Sequence, residues 1–100
     1  MCRIEIGDLT QIGPAVQVYT ADHPREPHLR EEGWENGKPV RIGRNCWIGG
    51  GAIFVPGVTI GDDVIVGAGA VVTKSFGDGV MIAGNPARVI KAKIGKKPIS

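Results

Sequence analysis

Cysteine is scarce in this chain: Cys2 and Cys46 are the only two in 100 residues. Neither belongs to a C-x-x-C pair or stands beside a metal-ligand histidine. That excludes a disulfide framework and a cysteine-built zinc site, and leaves two small thiols in a reducing compartment. A surplus of one charge is also lacking. Twelve Lys+Arg face ten Asp+Glu, for a net charge of +2, which gives no case for a nucleic-acid or membrane partner. Lys91, Lys93, Lys96 and Lys97 crowd the end of the chain and read as a solvated tail. No apolar run approaches the roughly 20 residues that span a bilayer. The opening residues Met1–Glu5 carry no leader signature, because they already belong to the periodic pattern described next, and the expected location is the cytoplasm. No P-loop occurs. Gly67-Ala68-Gly69-Ala70 is no dinucleotide fingerprint, since no helical pattern follows it.

What the chain does have is a repeat. Apolar anchors recur every six positions at Ile6, Ile12 and Val18, then at Ile42, Ile48, Phe54, Ile60, Val66 and Val72. Glycine often follows the anchor, as in Gly7, Gly13, Gly43, Gly49, Gly61 and Gly67. Four positions after the anchor stands a small or β-branched residue: Thr10, Val16, Cys46, Ala52, Val58, Val64 or Ala70. A helix needs apolar residues at three- and four-residue spacing. Hairpins give alternation broken by turns of variable length. Fixed hexads instead predict short strands joined by regular tight turns, three to a triangular coil of about 18 residues. Anchors point inward, small residues fit the corners, and the glycine relieves crowding where the chain bends. One small domain of this length buries only roughly 60–65% of its unfolded surface, so oligomerisation is expected to contribute to stability.

The repeat is interrupted twice. Residues 22–39 have no anchors and many charges, and the six-residue phase resumes after them. They read as a loop extruded from the solenoid, and long loops in compact domains are often functional. From Ser75 the period fails. Residues 78–86 read as turns with a short strand, and 87–92 as a brief strand or helix-like tail capping the coil. At the other end the chain enters in mid-repeat, with Ile4 and Ile6 already core-like. The pattern reads as one cut into, as though from a shortened gene or a fragment, with apolar surface exposed on the first coil.

The runs Ile42-Gly43-Arg44-Asn45-Cys46-Trp47-Ile48-Gly49 and Pro56-Gly57-Val58-Thr59-Ile60-Gly61-Asp62 resemble the hexapeptide-repeat acyltransferases. With Tyr19-Thr20-Ala21-Asp22-His23-Pro24, Gly67-Ala68-Gly69, Val72-Thr73-Lys74 and Gly84-Asn85-Pro86-Ala87-Arg88, the ordered set resembles the maltose and galactoside O-acetyltransferases from about Ile4 to Lys91. The resemblance implies an all-β fold, a single-stranded left-handed parallel β-helix with an extruded loop. Its domain spans residues 1–91, followed by a basic tail at 92–100. It also implies a homotrimer with active sites between subunits, acetyl-CoA as co-substrate, no metal, and a sugar-type hydroxyl as acceptor.

Within that resemblance His23 matches the general base. The chemistry suits it independently. A sugar hydroxyl is a poor nucleophile, and an imidazole titrating near neutrality takes its proton as attack on the thioester begins. His28 matches no motif and reads as a solvated loop residue. The tetrahedral intermediate needs a donor for its oxyanion. The Gly50 amide, in a run of three glycines that lets substrate approach, is the candidate. Trp47 follows a corner residue and faces outward, where a tryptophan packs on a ligand or a neighbouring subunit. By the resemblance it lines the pantetheine groove together with Gly50. Ala68, Thr73 and Lys74 match the CoA cleft, while Arg88 and Lys91 match basic positions near the nucleotide phosphates. Lys91 stands where arginine is usual, which weakens bidentate contact.

Two rivals carry different expectations. A hexapeptide-repeat carbonic anhydrase needs three histidines on zinc, and this chain has two. A trimeric scaffold that binds CoA without transferring acetyl is the alternative from outside enzymology. Other acceptor hydroxyls, on an antibiotic or an amino acid, stay open because fold does not set substrate.

Overall fold

The structure is a computed structural model describing residues 3–22, 25–33 and 36–92. Hexads produce strands of two or three residues, because each run between corners is so short. They are β1 (Ile4–Ile6), β2 (Gln11–Ile12), β3 (Gln17–Val18), then, after the excursion, β6 (Val40–Ile42), β7 (Trp47–Ile48), β8 (Ile53–Phe54), β9 (Thr59–Ile60), β10 (Ile65–Val66) and β11 (Val71–Val72). The excursion holds β4 (Ala21–Asp22), the helix α1 (Pro27–Glu31) and β5 (Asn36–Gly37). The chain closes with β12 (Met81–Gly84) and β13 (Ala87–Lys91).

Pairing sorts the solenoid strands into three parallel faces. The first stacks β1, β6 and β9; the second stacks β2, β7, β10 and β12; the third stacks β3, β8 and β11. Register makes the coil explicit: Ile42 lies over Ile60, Ile48 over Val66 and Phe54 over Val72, 18 residues apart. The interval from Ile6 to Ile42 is 36 residues, so the excursion adds one coil's length while the phase is kept. The excursion is closed at its neck by antiparallel pairing of Ala21 with Gly37 and Asp22 with Asn36. A Lys38–Asp22 ion pair at 3.5 Å lies beside that pairing.

The core is the stack of anchors and corner residues. Ile42, Ile48, Phe54, Ile60, Val66 and Val72 are buried, as are Cys46, Ala52, Val58, Val64 and Ala70. Val40 joins them at the corner where the phase resumes. Ile6 and Ile12, anchors of the first coil, are 45% and 44% exposed. Among the described residues no coil lies beyond them. Burial pushes the Cys46 thiol above its ordinary value of 9.0, with Asp62 and Asp63 adding to the rise against the Val64 backbone and Thr10 hydroxyl contacts. Thr10 ties two coils, its hydroxyl donating to Gly43 O at 2.7 Å and accepting from Cys46 N at 3.1 Å.

The glycine that follows most anchors has a different job from easing the bend. A Cβ on Gly43 would stand 2.5 Å from Gly61 O, and one on Gly49 2.5 Å from Ala68 N. The backbone of the next coil passes where the side chain would be. The bend itself falls two residues later, where φ turns positive: 58° at Ala15, 56° at Asn45, 73° at Gly51 and 56° at Asp63. Asn45 and Asp63 suit that conformation and also pair with each other across coils at 2.9 Å. Ala15 has no such compensation. A non-glycine residue there costs about 1–2 kcal/mol, and glycine's extra chain entropy returns about 0.5–1 kcal/mol of it. Ala15→Gly is therefore expected to stabilise the fold by roughly 0.5–1 kcal/mol, read as a rise in the urea midpoint.

The last coil is shorter than the others. Ile65 pairs with Met81 and Val66 with Ile82, an interval of 16 residues, and Phe76 bridges to Ile60 over the same interval. Ile82 and Ala87 complete the core. Residues 87–91 are a strand, with no helical turn, and it runs antiparallel to β12, the exception to the parallel pairing of the solenoid. Of the expected tail, residues 93–100 lie outside the described residues. Among the described residues no helix is long and apolar enough to cross a membrane.

Candidate functional site

The second face carries a groove of about 370 Å³, lined by Gly13, Pro14, Trp47, Gly49, Gly50, Ile65, Val66, Gly67, Ala68 and Met81. The coil dictates this set. Trp47, Ile65 and Met81 are register partners on the outer side of β7, β10 and β12. They form an apolar ladder, with Trp47 61% exposed at its edge. Beside it Gly13, Gly49 and Gly67 stack along the corner too closely for side chains: a Cβ on any of them would lie within about 3 Å of the next coil. One residue further, Pro14, Gly50 and Ala68 form the opposite wall.

Hydrogen bonding along that wall is selective. Gly51 N–H donates to Pro14 O at 2.9 Å, and Gly69 N–H to Gly50 O at 2.9 Å. Among the described residues nothing accepts the Gly50 or Ala68 N–H. Backbone donors left open beside an apolar groove need water or a ligand acceptor. The arrangement can thus grip a slender, mostly apolar molecule that carries carbonyl oxygens at intervals.

Of the residues singled out from the sequence, Trp47, Gly50 and Ala68 come together in this groove. Lys91 lies opposite Met81 and Arg88 opposite Ala83 in the β12–β13 pairing, both exposed. They stand at the end of the face where Met81 closes the lining. Thr73 and Lys74 follow β11 on the third face, and Lys74 Nζ sits 5.5 Å over the Phe76 ring. Within one chain they are apart from the groove. His23 lies outside the described residues. Its neighbour Asp22 belongs to β4 at the neck of the excursion. His28 is on α1, exposed. Among the described residues no cluster of three His, Cys, Asp or Glu side chains converges for a metal.

Sequence reasoning missed Gly13, Pro14, Ile65, Val66, Gly67 and Met81. A signal was available for most of them. Eighteen residues on from Trp47 is Ile65, and from Gly49 is Gly67. Met81 had none, because the last coil is two residues short.

Comparison with known proteins gives this geometry a context. Residues 39–74 match the family described as the hexapeptide repeat of succinyl-transferase. Nodulation protein L of Rhizobium meliloti (strain 1021) is 58% identical over 89 residues, covering 89% of this chain and 49% of that protein. A solved galactoside acetyltransferase in complex with coenzyme A superposes with a TM-score of 0.86 at 42% identity, over 90% of this chain and 45% of that one. A maltose O-acetyltransferase from Clostridium difficile 630 superposes with a TM-score of 0.76 at 36% identity, over 96% of this chain and 68% of that one. The chain spans about half the length of the curated relatives it matches. With three parallel faces, an 18-residue coil and these matches, the chain belongs to the hexapeptide-repeat family of left-handed β-helix acetyltransferases that includes the galactoside and maltose enzymes.

Proposed function

We propose that this chain transfers an acetyl group from acetyl-CoA to a hydroxyl of a sugar-type acceptor, directly, in a ternary complex. The observation that carries the reading is the groove itself, apolar along Trp47, Ile65 and Met81 and edged by the open N–H groups of Gly50 and Ala68. A pantetheine arm matches that chemistry, with an amide carbonyl for the Ala68 donor. Arg88 and Lys91 beyond the Met81 end suit the nucleotide phosphates. The Gly50 N–H serves as oxyanion donor to the thioester carbonyl. His23 accepts the acceptor's hydroxyl proton as the new C–O bond forms. The C–S bond then breaks, and the imidazolium returns the proton to the leaving sulfur, giving the ester and the free CoA thiol.

Three copies around a closed threefold axis complete the site in this reading. Thr73 and Lys74, on a different face from the groove, line the CoA cleft from the neighbouring copy. The buried, unpaired Cys46 thiol is in keeping with a cytoplasmic protein. A second reading is a trimeric scaffold that binds CoA without transferring acetyl.

Three measurements on the whole chain separate these readings. Sedimentation is expected to give three times the 10.5 kDa chain mass. Calorimetry is expected to show CoA binding that weakens with salt, as phosphate contacts do. Thiol release from acetyl-CoA is expected with a sugar acceptor and not with buffer alone. Binding without release, across sugars and across antibiotic and amino-acid hydroxyls, establishes the scaffold. Absence of CoA binding removes both readings.

A further inference from the structure

The two ends of the solenoid are unlike. At one end β1, β2 and β3 each form the edge of their sheet. Their anchors Ile6 and Ile12 are 45% and 44% exposed, while Ile42 and Ile48, the same positions one coil on, are 2% and 0%. Ile4 and Leu9 are exposed beside them. The backbone is open as well. The N–H groups of Gly7, Gln11, Gly13, Gln17 and Tyr19 donate to the next coil at 2.8 to 3.0 Å. Alternation along a strand turns the N–H and C=O of Ile6, Ile12 and Val18 the other way, where the described residues place no strand. An apolar triangle with a row of unpaired backbone groups on each side is a template for another strand-edged surface.

The opposite end does not fit it. There β13 covers β12 in the reverse direction, Phe76 bridges to Ile60, and Ile82 and Ala87 fill the core. Head-to-tail stacking needs parallel strands on all three faces, and among the described residues that end does not offer them. The open end does match a copy of itself. Anchors stand every six residues around an 18-residue coil. A two-fold axis through β1 therefore sets Ile6 against Ile6, and Ile12 against Val18, of the second copy. The reversed strands then exchange their open N–H and C=O groups as antiparallel pairs. Arg3, Glu5 and Asp8 fall opposite Leu9, Gly7 and Ile4, so no like charges meet. The threefold assembly of the proposed function, on which this inference rests, suits that axis. Outward residues of the first face are polar, Glu5, Arg41 and Thr59, whereas the other faces carry Trp47, Ile65, Ile53 and Val71. The first face thus looks away from the neighbouring copies, and an axis through it passes through the threefold. The short dimensions of the molecule, 24 and 23 Å, bound one triangular end to roughly 300 Å², whereas three ends together reach roughly 900 Å², close to the roughly 800 Å² per partner of a standard interface. We infer that two trimers pair open end to open end, with Ile4, Ile6, Ile12 and Val18 meeting their counterparts in a second copy.

Sedimentation of the 100-residue chain over about 1 to 300 µM tests this. The mass is expected to rise with concentration from three times 10.5 kDa towards six times. Ile12→Lys is expected to hold it at the lower value throughout. The lysine stem lies along the half-exposed coil, and its ammonium reaches water only while the end is free. A urea midpoint close to that of the natural chain shows that this variant keeps its fold. A second variant, Ile6→Cys with Cys2→Ser, puts two thiols on the axis, where opposed Cα atoms about 5.5 Å apart lie within disulfide reach. Oxidised glutathione takes up the two electrons, leaves as two reduced thiols, and is expected to link these chains in pairs. Thr59→Cys with Cys2→Ser, on the same face two coils away, is expected to give no such link. A mass that stays at one chain or at three over the whole range overturns the pairing. So does growth without limit, the mark of head-to-tail stacking, or a doubling that Ile12→Lys leaves in place. Doubling without the Ile6→Cys link overturns the axis through β1. A doubling that starts from a single chain keeps the paired ends and removes the threefold reading instead.

Discussion

Replacing His23 with alanine is expected to slow acetyl transfer at least about a hundredfold while CoA affinity and sedimentation stay unchanged. General-base assistance is typically worth ~10²–10⁴-fold. His28, on an exposed turn of α1, carries no such expectation, and His28→Ala is the matched control. The chain leaves the third face at Val18, Tyr19 N–H is held by Phe54 O at 3.0 Å, and Lys38 N–H by Thr20 O at 2.8 Å. The next residues pair across the neck through Asp22. Single-turnover measurement with acetyl-CoA separates loss of chemistry from loss of binding. A variant that turns over at near the natural rate would falsify the base assignment and leave the groove intact.

Phe54→Ala is expected to destabilise the fold by about 3–5 kcal/mol, a large part of the roughly 5–15 kcal/mol that holds a small domain together. Phe54 is fully buried at the centre of the third face, in register with Val18 on one side and Val72 on the other. Each coil of a solenoid touches only its neighbours. Parallel backbones fix the coil spacing on all three faces, so the walls cannot close on the cavity that the lost ring leaves. Most of the transfer and cavity terms are then felt in full. The test is the urea midpoint of the natural and substituted chains with the slope held common. A shift worth less than about 1 kcal/mol would contradict a stacked prism, since only a loosely filled site absorbs such a loss.

The hexad was readable because what it encodes is local. In a short strand alternate residues face opposite ways, so one anchor per strand must be the inward one, and Ile42, Ile48, Phe54, Ile60, Val66 and Val72 are. The corner after each strand has room only for a small or compact side chain, which marked Cys46, Ala52 and Ala70 as buried before any coordinates. The extruded loop was visible as a gap that kept the phase. The same pattern put Trp47 on the outside, and the glycine run put Gly50 at a place where ligand can approach.

What was not readable depends on which coil lies above which. The strand ladder compares residues 16, 18 or 36 apart, and no short motif records those intervals. Met81 reaches the groove only because the last coil is two residues short. Pro14 faces Gly50 only because the excursion adds one coil's length. Glycines 43 and 49 matter for the backbone of the next coil, an encounter with no trace in their own neighbourhood. Along the chain, side-chain size and period decide the rung. Between rungs, hydrogen-bond register decides the neighbours, and the groove belongs to the neighbours.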